Sequence, residues 1–264
     1  MVWWSTACNT TGRSLTTSSS TLTHETGAIN LNRLDKLAQI ISDLLNQKKE
    51  VVLVTSGAIA VGVSKLKLKE RPKTTQEKQA AAAVGQSELM HLYSKFFSEY
   101  GHIVAQILLT KDVVEEDKKR INVINTFESL LSKGILPIVN ENDTVATDEI
   151  EFGDNDSLSA LVATLIDADL LILLSDIEGL YEADPKSHPE AKLISVVDKI
   201  DESVIQRAGG AGSSRGTGGM ATKLKAASIA TEGHIHMVIA LGTHPEIITD
   251  ILQGKDIGTL FIAQ

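Results

Sequence analysis

The chain has 264 residues, of which 42% are hydrophobic and only 4% aromatic, and its formal net charge at pH 7 is −9. This composition allows a large core packed by Ala, Val, Ile and Leu, and the acidic balance disfavours nucleic acid as a partner, because a phosphate backbone needs a basic face. The single cysteine, Cys8, excludes an intrachain disulfide, and no apolar run reaches the roughly 20 residues that cross a membrane, so we expect a cytoplasmic protein with no membrane partner.

The first 19 residues differ in composition from the rest of the chain. They hold both tryptophans, Trp3 and Trp4, and a dense run of Ser and Thr in which Arg13 is the sole charge. They lack the basic start and apolar segment of a signal peptide. One interpretation is a flexible tail, although tails seldom carry adjacent tryptophans.

From residue 31 onward, stretches with helical spacing alternate with short apolar runs rich in β-branched residues. The helical spacing predicts helices over 31–45, 76–99, 120–132 and 157–166, after Met220 and from Pro245. The apolar runs predict strands over 51–54, 102–109, 135–139, 170–174 and 235–240 and near Leu260, while 181–197 is expected to be a hairpin or an inserted loop. The alternation predicts an α/β fold, a three-layer α/β/α sandwich with a mostly parallel central sheet, in a single domain over 20–264.

Ligands bind beyond the carboxyl ends of the strands in such sheets, and polar turns follow two of the predicted strands. Ser56 lies in a Thr-Ser-Gly turn that either offers backbone N–H groups to an anion or simply connects a strand to a helix. Asp143 lies in the polar run 140–144 and either receives a substrate ammonium group or belongs to an ordinary turn.

Two further acidic turns allow similar alternatives. Asn155 and Asp156 open an alanine-rich helix, where they either cap it or orient toward a substrate, a lysine or Mg²⁺. Ser175 and Asp176 follow the strand over 170–174, where an acidic residue binds a ribose hydroxyl or adenine, or caps the next turn.

A glycine-rich stretch over 209–223 is the strongest local signal. It lies directly before a helix that carries Lys223 near its first turn, so glycine backbone, helix N-terminus and lysine together suit the phosphates of a nucleotide. The alternative is a flexible surface loop. The spacing excludes a Walker A loop, and a dinucleotide pattern at Gly216, Gly218 and Ala221 fits poorly, because no strand directly precedes it and no acidic residue ends the next strand.

Taken together, these segments resemble the amino-acid kinase family, and within it the branch whose members phosphorylate glutamate. The strings that carry the resemblance occur in family order from about residue 20 to the end: VTSGAIAVG at 54–62, AAVGQ at 82–86, NENDTVAT at 140–147, GDNDSLSA at 153–160, GLYEADP at 179–185 and GTGGMATK at 216–223. The chain stops at Gln264, so it resembles the short form without the RNA-binding-type (PUA) C-terminal domain that many members add.

The resemblance implies transfer of the γ-phosphoryl group of ATP, with Mg²⁺, to the side-chain carboxylate of L-glutamate. It implies glutamate-binding roles for Ser56, Asp143 and Asn155, and catalytic roles for Lys223, which would stabilise the transferred group, and Asp156, which would organise lysines. The implied nucleotide contacts are Ser175, Asp176, Thr217, Gly218, Gly219, Met220, Ala221, Thr222 and Lys223. We expect no metal-ligating residue, and the resemblance implies a homo-oligomer.

The N-terminus departs from the family pattern. The family begins with an apolar strand that runs into a Lys-x-Gly turn, but an ungapped count places Thr16 at the lysine and Ser18 at the glycine. Residues 14–18 are not expected to form a hydrophobic strand. We hypothesise that residues 1–19 result from a shifted reading frame or a misassigned start, and we expect weak or absent kinase activity from the chain as written.

Three functions remain open from the sequence. The first is a glutamate-phosphorylating kinase, in which catalysis rests on positioning and charge stabilisation and needs no general base, since a carboxylate is already ionised near pH 7. The second is a sister kinase with another acceptor. The third is a catalytically silent protein that binds a nucleotide or an amino acid, an interpretation that the missing lysine favours.

Overall fold

The computed structural model describes residues 13–17, 22, 24, 28–110, 112–145, 155–185, 187–207 and 219–264. Its contacts divide the chain into two compact units, one formed by Ser18–Gly153 and the other by Met1–Thr17 together with Asp154–Gln264. Each unit carries its own helices and strands, and each has its own buried apolar core.

The strands of the described residues, in chain order, are β1 Arg13–Thr17, β2 Glu50–Val54, β3 Val104–Leu109, β4 Leu136–Glu141, β5 Leu170–Ser175, β6 Val196–Val197, β7 His236–Leu241 and β8 Thr259–Phe261. The helices are α1 Leu31–Asn46, α2 Ala58–Lys65, α3 Thr75–Glu99, α4 Asp112–Glu115, α5 Asp117–Leu131, α6 Asn155–Leu165, α7 Glu202–Arg207, α8 Met220–Glu232 and α9 Ile247–Leu252. None of these helices is long and apolar enough to cross a membrane.

In the unit of residues 18–153, the strands lie in the order β3-β4-β2 and pair in parallel. All six residues of β4 are buried, as expected for a strand that has neighbours on both sides. The carboxyl ends of the strands lie level with one another, since Leu108 pairs with Asn140 and Val54 with Val139. The turns after β2 and β4 therefore meet at one edge of this sheet.

Helix α3 has a sharply defined start and an unusually close neighbour. Thr74 and Glu77 form a capping box, in which each side chain satisfies a backbone N–H of the first turn. Gly85 lies so close to α2 that a Cβ atom there would stand 1.7 Å from the carbonyl oxygen of Ala58. Gly62 meets α3 in the same way, because its Cβ would stand 1.8 Å from the oxygen of Ala81. Only glycine allows this contact between helix backbones.

In the other unit, the strands lie in the order β1-β5-β7-β8-β6. Strands β1, β5 and β7 run parallel, whereas β8 runs antiparallel to β7 and pairs in parallel with β6. Helix α6 packs against α8 and against β5. Ser175 is the last residue of β5, so it lies at the carboxyl end of a parallel strand, where ligands bind in sheets of this kind.

The α/β class with mostly parallel strands is confirmed, and so are the predicted helices and strands, to within a few residues at most ends. One expectation was wrong. Residues 13–17 form β1, which pairs with β5 from Ser14 opposite Leu170 to Thr17 opposite Leu173. Backbone pairing with a buried neighbour stabilises a strand of low hydrophobicity, which composition cannot reveal. The single-domain assignment over 20–264 stays a prediction, as does the origin of residues 1–19.

The sequence also left some elements unpredicted. Helices α4 and α7 and strand β6 are short, and short elements carry little periodicity. In the stretch 181–197, an antiparallel bridge between Tyr181 and Leu193 agrees with the hairpin alternative.

Candidate active site

Lys223 and Asp156 form a largely buried ion pair in the unit that contains residues 155–264. The two atoms Lys223 Nζ and Asp156 Oδ2 are 3.0 Å apart, and the side chains are only 6% and 17% exposed. Lys223 lies in the first turn of α8 and Asp156 in the first turn of α6, and these two helices pack against each other. The pair therefore joins the starts of two helices that the sequence had identified separately.

The start of α8 is built from backbone groups and a small residue. Gly219 is the N-cap, and no described residue lies where its side chain would stand. Thr222 Oγ1 donates to the oxygen of Gly219 at 2.7 Å and also contacts Asp156 Oδ2 at 3.3 Å. A helix N-terminus with a nearby ammonium group suits a phosphate group.

The other predicted nucleotide contacts lie on two elements. Ser175 is the last residue of β5, is buried, and donates from its hydroxyl to Asp176 Oδ1 at 3.0 Å. Asp176 is exposed directly after the strand. On α8, Met220 is half-buried and Ala221 is exposed. The predicted residues Thr217 and Gly218 lie outside the described residues.

Asn155 is the first residue of α6, next to Asp156. Its backbone oxygen accepts from Ser159 Oγ at 2.5 Å, which stabilises the first turn of the helix. Asn155 is half-buried. It lies in the same unit as Lys223, whereas the other two predicted acceptor residues, Ser56 and Asp143, belong to the unit of residues 18–153.

Ser56 lies in the turn between β2 and α2 and is half-buried. The next residue, Gly57, has a φ angle of 87° and forms the N-cap of α2. The preceding residue, Thr55, is buried and shares a hydrogen bond of 2.7 Å with the phenol of Tyr93 on α3. Its backbone N–H donates to the oxygen of Val139 on β4 at 2.8 Å. Hydrogen bonds to α3 and to β4 therefore fix the position of the residue before Ser56.

Asp143 lies two residues after the end of β4 and is half-buried. Burial removes water from its carboxyl group and raises its pKa above the ordinary aspartate value. A carboxylate in this condition gains from a cationic ligand, because a positive charge would favour the ionised form. Ser56 and Asp143 each follow a strand, as the sequence predicted, and the structure shows that these two strands are parallel neighbours.

Two residues of this region were not assigned from the sequence as site residues. Gln86 lies on the buried face of α3 and is hydrogen-bonded to Asn140 at 2.8 Å, while Tyr93 is bonded to Thr55. A signal was present, because Gln86 is the polar member of an otherwise apolar stripe formed by Ala82, Gly85, Leu89, Tyr93 and Phe97.

Comparison with known proteins links the chain to a family of kinases. The model of the family described as "Amino acid kinase family" matches residues 11–241. The chain is 57% identical over 249 residues to a glutamate 5-kinase of Clostridium perfringens, which covers 93% of each protein. It is 58% identical over 244 residues to a glutamate 5-kinase of Clostridium acetobutylicum, which covers 92% of this chain and 91% of that protein.

A solved structure of isopentenyl phosphate kinase from T. acidophilum shows the same fold. It has a TM-score of 0.64 with this chain at 16% identity, and the match covers 95% of this chain and 99% of the other. At this identity the likeness concerns the fold alone.

Proposed function

The chain belongs to the amino acid kinase family, and on that basis we propose that it transfers the γ-phosphoryl group of ATP to the side-chain carboxylate of L-glutamate. The product is L-glutamyl 5-phosphate, and the reaction is the first step of proline biosynthesis. The high identity to two glutamate 5-kinases supports glutamate as the acceptor. The structural observation that carries the proposal is the ion pair between Lys223 and Asp156 at the start of α8.

For this reaction the protein has mainly to position the two substrates and to stabilise negative charge. A γ-carboxylate oxygen of glutamate bonds to the γ-phosphorus, and the bond from that phosphorus to the bridging oxygen breaks, so that its electron pair leaves on ADP. No proton moves, since glutamate is already a carboxylate near pH 7. The obstacle is the approach of two anions, which fixed cations and N–H donors reduce.

Lys223 is the residue to which we assign the main positive charge. Its ammonium group has three donors, of which one is directed at Asp156, and burial leaves its charge less screened by water than it would be at the surface. Asp156 would hold this ammonium group in place. The backbone and side chains of residues 217–222, together with Ser175 and Asp176, would bind the rest of the nucleotide.

Ser56, Asp143 and Asn155 are proposed to bind glutamate. Asp143 would receive the ammonium group of the amino acid, because its carboxylate is half-buried and unfavourably desolvated. Ser56 and Asn155 offer a hydroxyl and an amide that can donate to carboxylate oxygens.

Mg²⁺ is proposed as the companion of ATP. Within the described ranges, no group of three His, Cys, Asp or Glu side chains could hold a metal ion. Mg²⁺ bound to a nucleotide needs only one or two protein carboxylates besides phosphates and water, so the residues fit an ion that arrives with ATP, whose charge would neutralise the phosphates. A homo-oligomer and a cytoplasmic location are also kept as predictions.

The proposal is tested by ADP release in the presence of single acceptors: L-glutamate, N-acetyl-L-glutamate, L-aspartate, carbamate and UMP. We expect release that depends on L-glutamate, at a low rate, because Thr16 occupies the position of the family's lysine. Lys223→Met should reduce it about 10²- to 10³-fold, by analogy with the loss of one transition-state donor. Lys225→Met, on an exposed position of the same helix, should leave it unchanged.

Two other results would point elsewhere. Release with a different acceptor would identify a sister kinase. Binding of nucleotide and glutamate without any release of ADP would identify a silent binding protein, the function that the Thr16 position favours.

A further inference from the structure

A buried pair of amide side chains joins α3 to the carboxyl end of β4. Asn140 Nδ2 donates to Gln86 Oε1 over 2.8 Å, and the two residues are 2% and 8% exposed. Both belong to the unit of residues 18–153. Asn140 is the last residue but one of β4 and lies three positions before Asp143, so the pair reaches the edge where the predicted acceptor residues stand.

Stability alone does not account for this pair. Among the described residues, none is hydrogen-bonded to Gln86 Nε2, which is fully buried. A buried donor in this condition carries the cost of its lost water, and a methionine of similar length would fill the space without that cost. The neighbours of Gln86 on this face of α3, such as Gly85 and Leu89, are apolar. An amide at this position therefore calls for another explanation.

The direction of the hydrogen bond has a consequence for Asn140. The end of an asparagine side chain carries an oxygen that accepts and a nitrogen that donates, and a free amide can turn either one toward a ligand. In the structure the nitrogen of Asn140 faces Gln86 Oε1, and this hydrogen bond restrains rotation of the Asn140 amide. The oxygen of Asn140, which can only accept, is then the atom left for a ligand.

The support behind Gln86 is rigid. Helix α3 is capped at Thr74 and Glu77, and its backbone contacts α2 through Gly85 without space for a side chain. A side chain on such a helix is placed to within a small tolerance, which is what the precise orientation of a partner requires.

We propose that Gln86 is a positioning residue for the acceptor amino acid. It orients the amide of Asn140, whose oxygen then accepts a hydrogen bond from the α-ammonium group that Asp143 also receives. This inference rests on the proposed function, since it takes glutamate as the ligand. Gln86 itself acts through Asn140.

Calorimetric titration of the full-length protein tests the proposal without requiring turnover. Gln86→Met should weaken glutamate binding about tenfold, the equivalent of one lost hydrogen bond. The dissociation constant of ADP and the melting temperature should stay close to those of the wild type, because the variant fills the same space and the removal of the unsatisfied Gln86 donor offsets the hydrogen bond that Asn140 loses. Gln76→Met is the matched control, since Gln76 is exposed on the same helix, and it should change none of the three quantities.

A purely structural role would give a different pattern. It would lower the melting temperature and weaken glutamate and ADP together, and that result would overturn the proposal. Unchanged glutamate binding in Gln86→Met would overturn it as well. A double-mutant cycle adds a test of the route, because Gln86→Met should have little further effect on glutamate binding once Asn140→Ala is present. Additive losses would show that Gln86 does not act through Asn140.

Failure of the proposed function can be told apart from failure of this inference. A wild-type protein that binds glutamate but releases no ADP would contradict the kinase activity and leave the role of Gln86 intact. A wild-type protein that releases ADP with glutamate, combined with an unaffected Gln86→Met variant, would do the reverse. A wild-type protein that binds no glutamate would overturn both.

Discussion

Replacing Asp156 by alanine would remove the carboxylate that stands 3.0 Å from Lys223 Nζ. The lysine side chain is only 6% exposed, so its ammonium group would lose the counter-charge of Asp156 while water could hardly reach it. Breaking a buried ion pair in this way costs about 3–5 kcal/mol of unfolding free energy, and we expect the lower end of the range, about 3 kcal/mol, because Asp156 itself is 17% exposed. Urea unfolding followed by circular dichroism measures this value.

The double variant Asp156→Ala with Lys223→Met shows whether the ammonium group of Lys223 causes this loss of stability. If loss of the ion pair with Lys223 causes the destabilisation, removal of the ammonium group should recover most of it and bring the protein to within about 1 kcal/mol of the wild type. Lys225→Met, exposed on the same helix, should instead add nothing to the Asp156→Ala loss. A double variant as unstable as Asp156→Ala alone would refute the argument and assign to Asp156 only the favourable effect of an acid in the first turn of α6.

Three further predictions concern other parts of the molecule. Burial raises the pKa of Asp143, so the folded protein binds a proton more tightly than the unfolded chain, and ionisation of Asp143 opposes folding. Asp143→Asn should therefore raise the melting temperature at pH 7, and this advantage should disappear below the ordinary aspartate pKa of about 3.9. The same variant should weaken glutamate binding in calorimetry. Gly85→Ala should destabilise the protein in urea by more than the 1–3 kcal/mol or so that is typical of overpacking, because the new Cβ would stand 1.7 Å from a carbonyl oxygen of Ala58 and would force two helix backbones apart; an unchanged midpoint would contradict this packing. Thr16→Lys combined with Ser18→Gly should raise glutamate-dependent ADP release about 10²-fold or more, by analogy with the gain of one transition-state donor, whereas equal rates before and after would show that the chain does not need this lysine.

Much of the fold could be predicted because it depends on local patterns. The apolar spacing in α1 and the β-branched run of β2 predict the bounds of these elements to within a few residues. The alternation of helices and strands along the chain indicates parallel pairing. Strand β1 could not be predicted in this way, since Arg13–Thr17 lacks an apolar run and is stabilised by its pairing with β5. A strand edge offers its hydrogen bonds to almost any backbone, whatever side chains it carries.

Some features of the candidate site could likewise be predicted from the sequence, and others could not. The sequence by itself determined which residues carry charge, which turns follow strands and where glycine opens the start of α8. Only the tertiary structure decided that Lys223 meets Asp156, 67 positions away, and that Gln86 meets Asn140, 54 positions away. Periodicity and capping are local, because they follow from the geometry of one helix or one strand. Contacts between distant side chains depend on the packing of whole elements and on the burial that this packing imposes, and no stretch of sequence contains that information by itself.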